Sequence, residues 1–106
     1  ATLKRAEAYV EAGADGIFVP GASDPSDLRQ LTSNIPVPVN VLVVPQLSLA
    51  QLADLGVRRI STGSLPYRAA IDAAVAVAQN IRDGTPPPAA TGYPQMQRRL
   101  VEFNGR

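Results

Sequence analysis

The sequence predicts an α/β fold of parallel βα units, and three observations predict it. First, two segments 43 positions apart carry nearly the same phrase. They are Gly13-Ala14-Asp15-Gly16-Ile17-Phe18-Val19-Pro20-Gly21 and Gly56-Val57-Arg58-Arg59-Ile60-Ser61-Thr62-Gly63-Ser64. A fixed period of roughly 40 residues marks a repeat architecture. Second, apolar runs too short for a helix alternate with helical stripes, an order that implies a parallel sheet with right-handed crossovers. Third, Gly13 and Gly56 each follow a helical stripe, where a left-handed residue ends a helix.

Each element has its own signal. Residues 2–12 carry Leu3, Ala6, Tyr9 and Val10 on one helical stripe. Ile17-Phe18-Val19 is a buried-strand run, closed by Pro20 and Gly21. Ser23 or Asp24 caps the next helix, Pro25 fits its first turn, and Asp27 favours its positive end. That helix holds Leu28 and Leu31 and ends near Ser33-Asn34. Pro36 and Pro38 lead into a strand over 39–44, because proline is tolerated at a strand entrance. Ser48 opens a helix with Leu49, Leu52 and Leu55, and residues 57–62 form the third strand. An alanine-rich helix is expected over 65–82 and is stopped by Asp83-Gly84. Pro86-Pro87-Pro88 stiffens the segment after it as polyproline II. A last helix over 94–103 places Met96, Leu100 and Phe103 on one side.

The expected division is a βα-barrel segment over 1–84, a proline-rich linker over 85–93 and a C-terminal helix over 94–106. A closed eight-stranded barrel takes about 250 residues. The chain has 106, so it supplies about three of the eight units and leaves two strand edges unpaired. It opens at Ala1 inside a helical stripe, without Met or cap. The expectation is therefore a fragment whose upstream portion is missing.

Composition narrows the function classes. The chain is 45% hydrophobic and 18% charged with net charge +1, which describes a globular domain without a strong field for nucleic acid or anionic membrane. No apolar run approaches the roughly 20 residues that span a bilayer, so the expected location is cytoplasmic. Cysteine and histidine are absent. Thiolate chemistry and the commonest general acid/base and metal ligand are therefore absent as well.

Few residues are left to carry chemistry. Asn40 interrupts an apolar strand and shares a face with Leu42. Its amide is either satisfied by neighbouring backbone or water, or it points at a bound ligand. Thr62-Gly63-Ser64 lies between the third strand and its helix, where free N–H groups suit an anion. A cap at Ser64 is the plainer reading. Arg68 stands in the first turn of the long helix, an unfavourable place for a cation unless it meets a carboxylate or an anionic ligand. Asp15, Arg58 and Arg59 lie at amino ends of strands, the structural side of a barrel. No acidic pair marks the carboxyl ends, so no metal ligand and no catalytic residue is assigned to this chain.

Taken in order, the quoted phrases, with Pro36-Val37-Pro38-Val39-Asn40-Val41 and Tyr67-Arg68-Ala69-Ala70, resemble the isocitrate lyase/phosphoenolpyruvate mutase superfamily. The resemblance covers most of the chain and corresponds to the family's last three βα units. It implies a partial (β/α)8 TIM barrel (the last three strands) with C-terminal helices that pack against or swap with a neighbouring subunit. It also implies a Mg²⁺-dependent enzyme that cleaves or rearranges C–C or P–C bonds of small α-keto or carboxylate substrates. The Mg²⁺ ligands belong to the family's first half, not to this chain. Asn40 matches an Asn of the methylisocitrate lyase-like branch, while Leu42 and Val43 replace the accompanying Thr and Glu. Pro20 stands where lyases carry Glu and phosphonate mutases carry His.

The expected substrate-contacting residues are Asn40, Thr62, Gly63, Ser64 and Arg68. The isolated fragment is expected to be inactive, with a homo-oligomer or the missing N-terminal half as partner. Two alternatives stand beside this reading: a non-catalytic remnant acting in assembly, and an unrelated phosphate-binding barrel fragment.

Overall fold

The computed structural model describes residues 1–105. Arg106, the last residue of the expected segment 94–106, lies outside the described residues. The order is α1 (Thr2–Glu11), β1 (Ile17–Phe18), α2 (Pro25–Asn34), β2 (Val39–Leu42), α3 (Leu49–Asp54), β3 (Arg59–Ser61), α4 (Leu65–Arg82) and α5 (Tyr93–Asn104). The chain forms two compact units, Ala1–Leu65 and the part from Pro66 onward. Among the described residues no helix is long and apolar enough to cross a membrane.

The first unit is a three-stranded parallel sheet in the order β1-β2-β3. Ile17 pairs with Val39 and Phe18 with Asn40. Asn40 pairs with Arg59, Val41 with Ile60 and Leu42 with Ser61. Side chains alternate across a strand, so this register sorts them into two faces. Ile17, Val39, Val41 and Ile60 share one face. Phe18, Asn40, Leu42, Arg59 and Ser61 share the other.

The first face carries the core. Ile17, Val39 and Val41 are buried there with Ala6 of α1, Leu28 and Leu31 of α2, and Leu52 of α3. Fully burying one such side chain stabilises by about 1.5–3 kcal/mol. The opposite face has no such cover in this unit, and Phe18 is 48% exposed on it. The sheet also has two free edges, because β1 and β3 each pair on one side only.

Local chemistry explains where the elements start and stop. The Asp24 side chain accepts hydrogen bonds from the Ser26 and Asp27 N–H groups, and Pro25 occupies the first turn of α2. Ser48 and Gln51 form a reciprocal capping box at α3. Both glycine phrases close the same motif. After α1, Gly13 N–H donates to Val10 O and Ala14 N–H to Tyr9 O; after α3, Gly56 N–H donates to Ala53 O and Val57 N–H to Leu52 O. These are Schellman pairs, which require a left-handed residue at the glycine. Accordingly φ is +101° at Gly13 and +92° at Gly56.

The strands are shorter than the sequence suggested. The third begins at Arg59 rather than at 57, because the Val57 N–H is committed to the helix end while its side chain enters the core. The second ends at Leu42 rather than at 44. One further bond, Val43 N–H to Ser61 O, precedes a turn closed by Leu47 N–H to Val44 O. Tyr9, expected on the apolar stripe of α1, is 55% exposed. It lines a groove of about 180 Å³ with Phe18 and Pro20, alongside β1.

In the second unit, α4 ends in the same hydrogen-bond pair, from Gly84 to Ile81 O and from Thr85 to Asn80 O. The Asn80 amide also donates to Pro86 O at 3.0 Å, tying the start of the proline segment to the helix. Neither α4 nor α5 has a buried side chain. Ile71, Val75 and Ile81 of α4 and Tyr93, Leu100 and Phe103 of α5 are all exposed.

Two outcomes are expected. A Cβ at Gly56 would lie 2.7 Å from Thr32 Oγ1 and 2.8 Å from Thr32 Cβ, whereas one at Gly13 would meet nothing within 4 Å. Gly13→Ala should therefore cost only the left-handed backbone strain, about 1–2 kcal/mol. Gly56→Ala should cost clearly more, as read from urea midpoints, and equal losses would contradict the close packing. The hydrogen bonds from Asp27 and Ser26 hold the Asp24 carboxyl below its ordinary pKa. A carboxylate so depressed stabilises the fold above its unfolded pKa and loses that contribution as pH falls through the folded value. Asp24→Ala should thus lower the melting temperature at neutral pH, with the deficit shrinking below the usual carboxylate range. A deficit independent of pH would contradict this.

Candidate functional site on the open sheet face

The residues expected to carry function within the first unit gather at one face and one end of the sheet. Asn40 is the second residue of β2 and is only 6% exposed. Its amide Nδ2 donates to Ser61 Oγ at 2.9 Å. The same hydroxyl stands 3.3 Å from Asn40 Oδ1, as a donor. The partner is thus a side chain on the neighbouring strand. Ser61 does not sit directly across from Asn40. It pairs with Leu42 and so lies one alternation further along β3.

Ser61 is the residue that sequence reasoning missed. The signal was present in the repeat. Ile17 aligns with Ile60, so Ser61 aligns with Phe18, and both belong to the face opposite the core. The strand register was not legible, and without it the reach from Asn40 to Ser61 could not be drawn.

At the carboxyl end, Thr62, Gly63 and Ser64 are all exposed. Gly63 sits over Leu42: a Cβ there would lie 3.8 Å from Leu42 Cδ2, in ordinary contact. The Leu65 N–H donates to Thr62 O, which tightens the turn into α4. The structure therefore joins Asn40, Leu42, Ser61 and Gly63 into one continuous patch, with Thr62 and Ser64 flanking it. Arg68 is exposed on α4 in the second unit.

The electrostatics of this face are simple. Along the paired strands it carries Phe18, Asn40, Leu42, Arg59 and Ser61, and among these five the charged residue is Arg59. Among the described residues no group of three His, Cys, Asp or Glu side chains comes together as a metal site. The patch can donate and accept hydrogen bonds and can tolerate an anion.

Comparison with known proteins follows the same lines. A model of the family described as phosphoenolpyruvate phosphomutase matches residues 1–82. An uncharacterised protein of Mycobacterium tuberculosis is 51% identical over 105 residues, covering 99% of this chain and 41% of its own length. An oxaloacetate decarboxylase of Pseudomonas fluorescens is 42% identical over 76 residues, covering 69% of this chain and 26% of its own length. A crystal structure from Burkholderia cenocepacia, described as a lyase/mutase, overlays with a TM-score of 0.84 at 38% identity, covering 94% of this chain and 38% of that one. The chain therefore spans well under half the length of each of these relatives.

Proposed function

We propose, from the premise that this chain belongs to the phosphoenolpyruvate phosphomutase family of the isocitrate lyase/phosphoenolpyruvate mutase superfamily, that it supplies the last three strands of a (β/α)8 barrel. In that reading the whole enzyme cleaves or rearranges C–C or P–C bonds of a small α-keto or carboxylate substrate. The observation that carries it is the two-faced sheet. One face is packed by α1, α2 and α3, and the other exposes Phe18 beside Asn40. In a barrel the inner face is covered by the remaining strands, and ligands sit at the carboxyl ends.

The residues take roles by position. Asn40 faces the cavity and hydrogen-bonds the substrate. Thr62, Gly63 and Ser64 stand at the carboxyl end of β3, at the turn into a helix, a place that suits an anionic group. Arg68 meets a carboxylate or phosphonate group. The kinship with an oxaloacetate decarboxylase supports a small keto acid as substrate, with cleavage beside its carboxylate.

The family resemblance implies Mg²⁺, which stabilises developing enolate charge when bound. Among the described residues no three His, Cys, Asp or Glu side chains come together, and in this reading the residues that would hold the ion belong to the family's first half. The reading also carries the cytoplasmic location expected from sequence and assembly with further copies or with an N-terminal half. The exposed apolar residues of α5 support such assembly. The family match sets aside the unrelated phosphate-binding barrel.

The test is an assay of oxaloacetate, phosphonopyruvate and methylisocitrate with Mg²⁺. The 106-residue chain alone should turn over none of them, and a full-length polypeptide carrying these residues should turn over one. Turnover by the chain alone would overturn the reading. Silence from the full-length polypeptide would favour the non-catalytic remnant.

A further inference from the structure

We infer that Ser61 is a positioning residue that fixes the Asn40 amide for recognition of a carboxylate or carbonyl oxygen. The inference rests on the reading of the open face as a substrate-cavity wall. It deepens that reading by naming a residue and a ligand chemistry.

The geometry comes first. Asn40 is nearly buried, and Ser61 Oγ accepts from its Nδ2 at 2.9 Å. The terminal torsion of asparagine is broad and roughly two-fold, so the backbone alone does not set the amide plane. A serine hydroxyl both donates and accepts. Ser61 Oγ engages Nδ2 closely and Oδ1 at 3.3 Å, so one hydroxyl holds both ends of the amide. Removing it would leave an almost buried amide without its partner.

The ligand chemistry follows from what Ser61 leaves unused. A primary amide carries two donor hydrogens, and Ser61 takes one of them. The second Nδ2 hydrogen remains for an acceptor oxygen. Although Arg59 begins β3, it pairs directly with Asn40 across the ladder, and its cation on the same face favours an anionic acceptor. Phe18, paired with Asn40 on β1, and Leu42, two residues further along β2, flank the position with apolar side chains. A carboxylate or keto oxygen of a small acid meets these terms.

The experiment uses the full-length polypeptide carrying residues 1–106 and oxalate as the probe. Binding is measured by titration calorimetry, and each variant is also unfolded in urea. Ser61→Ala should weaken oxalate binding roughly tenfold, the scale of one hydrogen bond to a charged group. Ser61→Thr, which keeps the hydroxyl, should bind within about threefold of the unsubstituted protein. Ser61→Cys keeps the volume with a weaker donor and serves if Ser61→Ala does not fold; its binding should also fall. Asn40→Ala reports separately on the cavity-wall reading and should weaken binding at least as much as Ser61→Ala.

If Asn40→Ala weakens binding and Ser61→Ala shifts only the urea midpoint, Ser61 is merely structural and the inference is overturned while the cavity reading stands. If Asn40→Ala binds oxalate unchanged, the cavity reading itself fails. No binding by the unsubstituted polypeptide overturns both.

Discussion

The central strand pairs on both sides, and almost every other feature follows from that. β2 is bonded to β1 and to β3, both parallel, so its register fixes which side chains share a face across the whole sheet. Val39 and Val41 face α1, α2 and α3 and become nearly inaccessible. Asn40, between them, is forced to the opposite side. A one-residue slip would exchange the faces and drive the amide into the hydrophobic core. The polar residue in the middle of an apolar strand thus marks the side of the sheet opposite the core.

The helix ends transmit that constraint. Parallel strands need a return helix between them, and each return must re-enter the sheet in register. Glycine turns set the entries to β1, after α1, and to β3, after α3, whereas α2 passes into β2 through an extended Ile35. At Gly56 the turn is locked further, because the Thr32 hydroxyl of α2 donates to Leu55 O just before it. The side chain that makes this bond fills the space a Cβ would need. Neighbouring βα units are therefore joined by a side-chain-to-backbone hydrogen bond as well as by the shared core.

Much of this was written in local chemistry. The caps at Asp24 and Ser48, the glycine turns and the periodicity of the helices are all decided by residues within a few positions of one another. The strand limits were not, because Val57 looks like strand but spends its N–H on the preceding helix. Tyr9 fits the apolar stripe by its spacing, and what the spacing does not reveal is that it lines a groove beside the free edge of β1. At the site, Asn40 was visible as an anomaly in an apolar run. Its partner was not, because the Ser61 contact spans 21 positions and depends on the register of two strands. The residues at 62–64 were visible from the repeat, and their nearness to Leu42 was not.

Amide hydrogen exchange at the outer strand tests most directly whether this sheet is one wall of a larger one. The Ile17 and Val19 N–H groups donate to Pro38 O and Asn40 O of the neighbouring chain segment. Alternation then turns the Phe18 N–H toward the free edge. The account holds that Phe18 exchanges far faster than Val19 in the 106-residue chain, and that the two become similarly slow in the full-length polypeptide, where another strand pairs with β1. A Phe18 amide that still exchanges freely in the full-length polypeptide would contradict it.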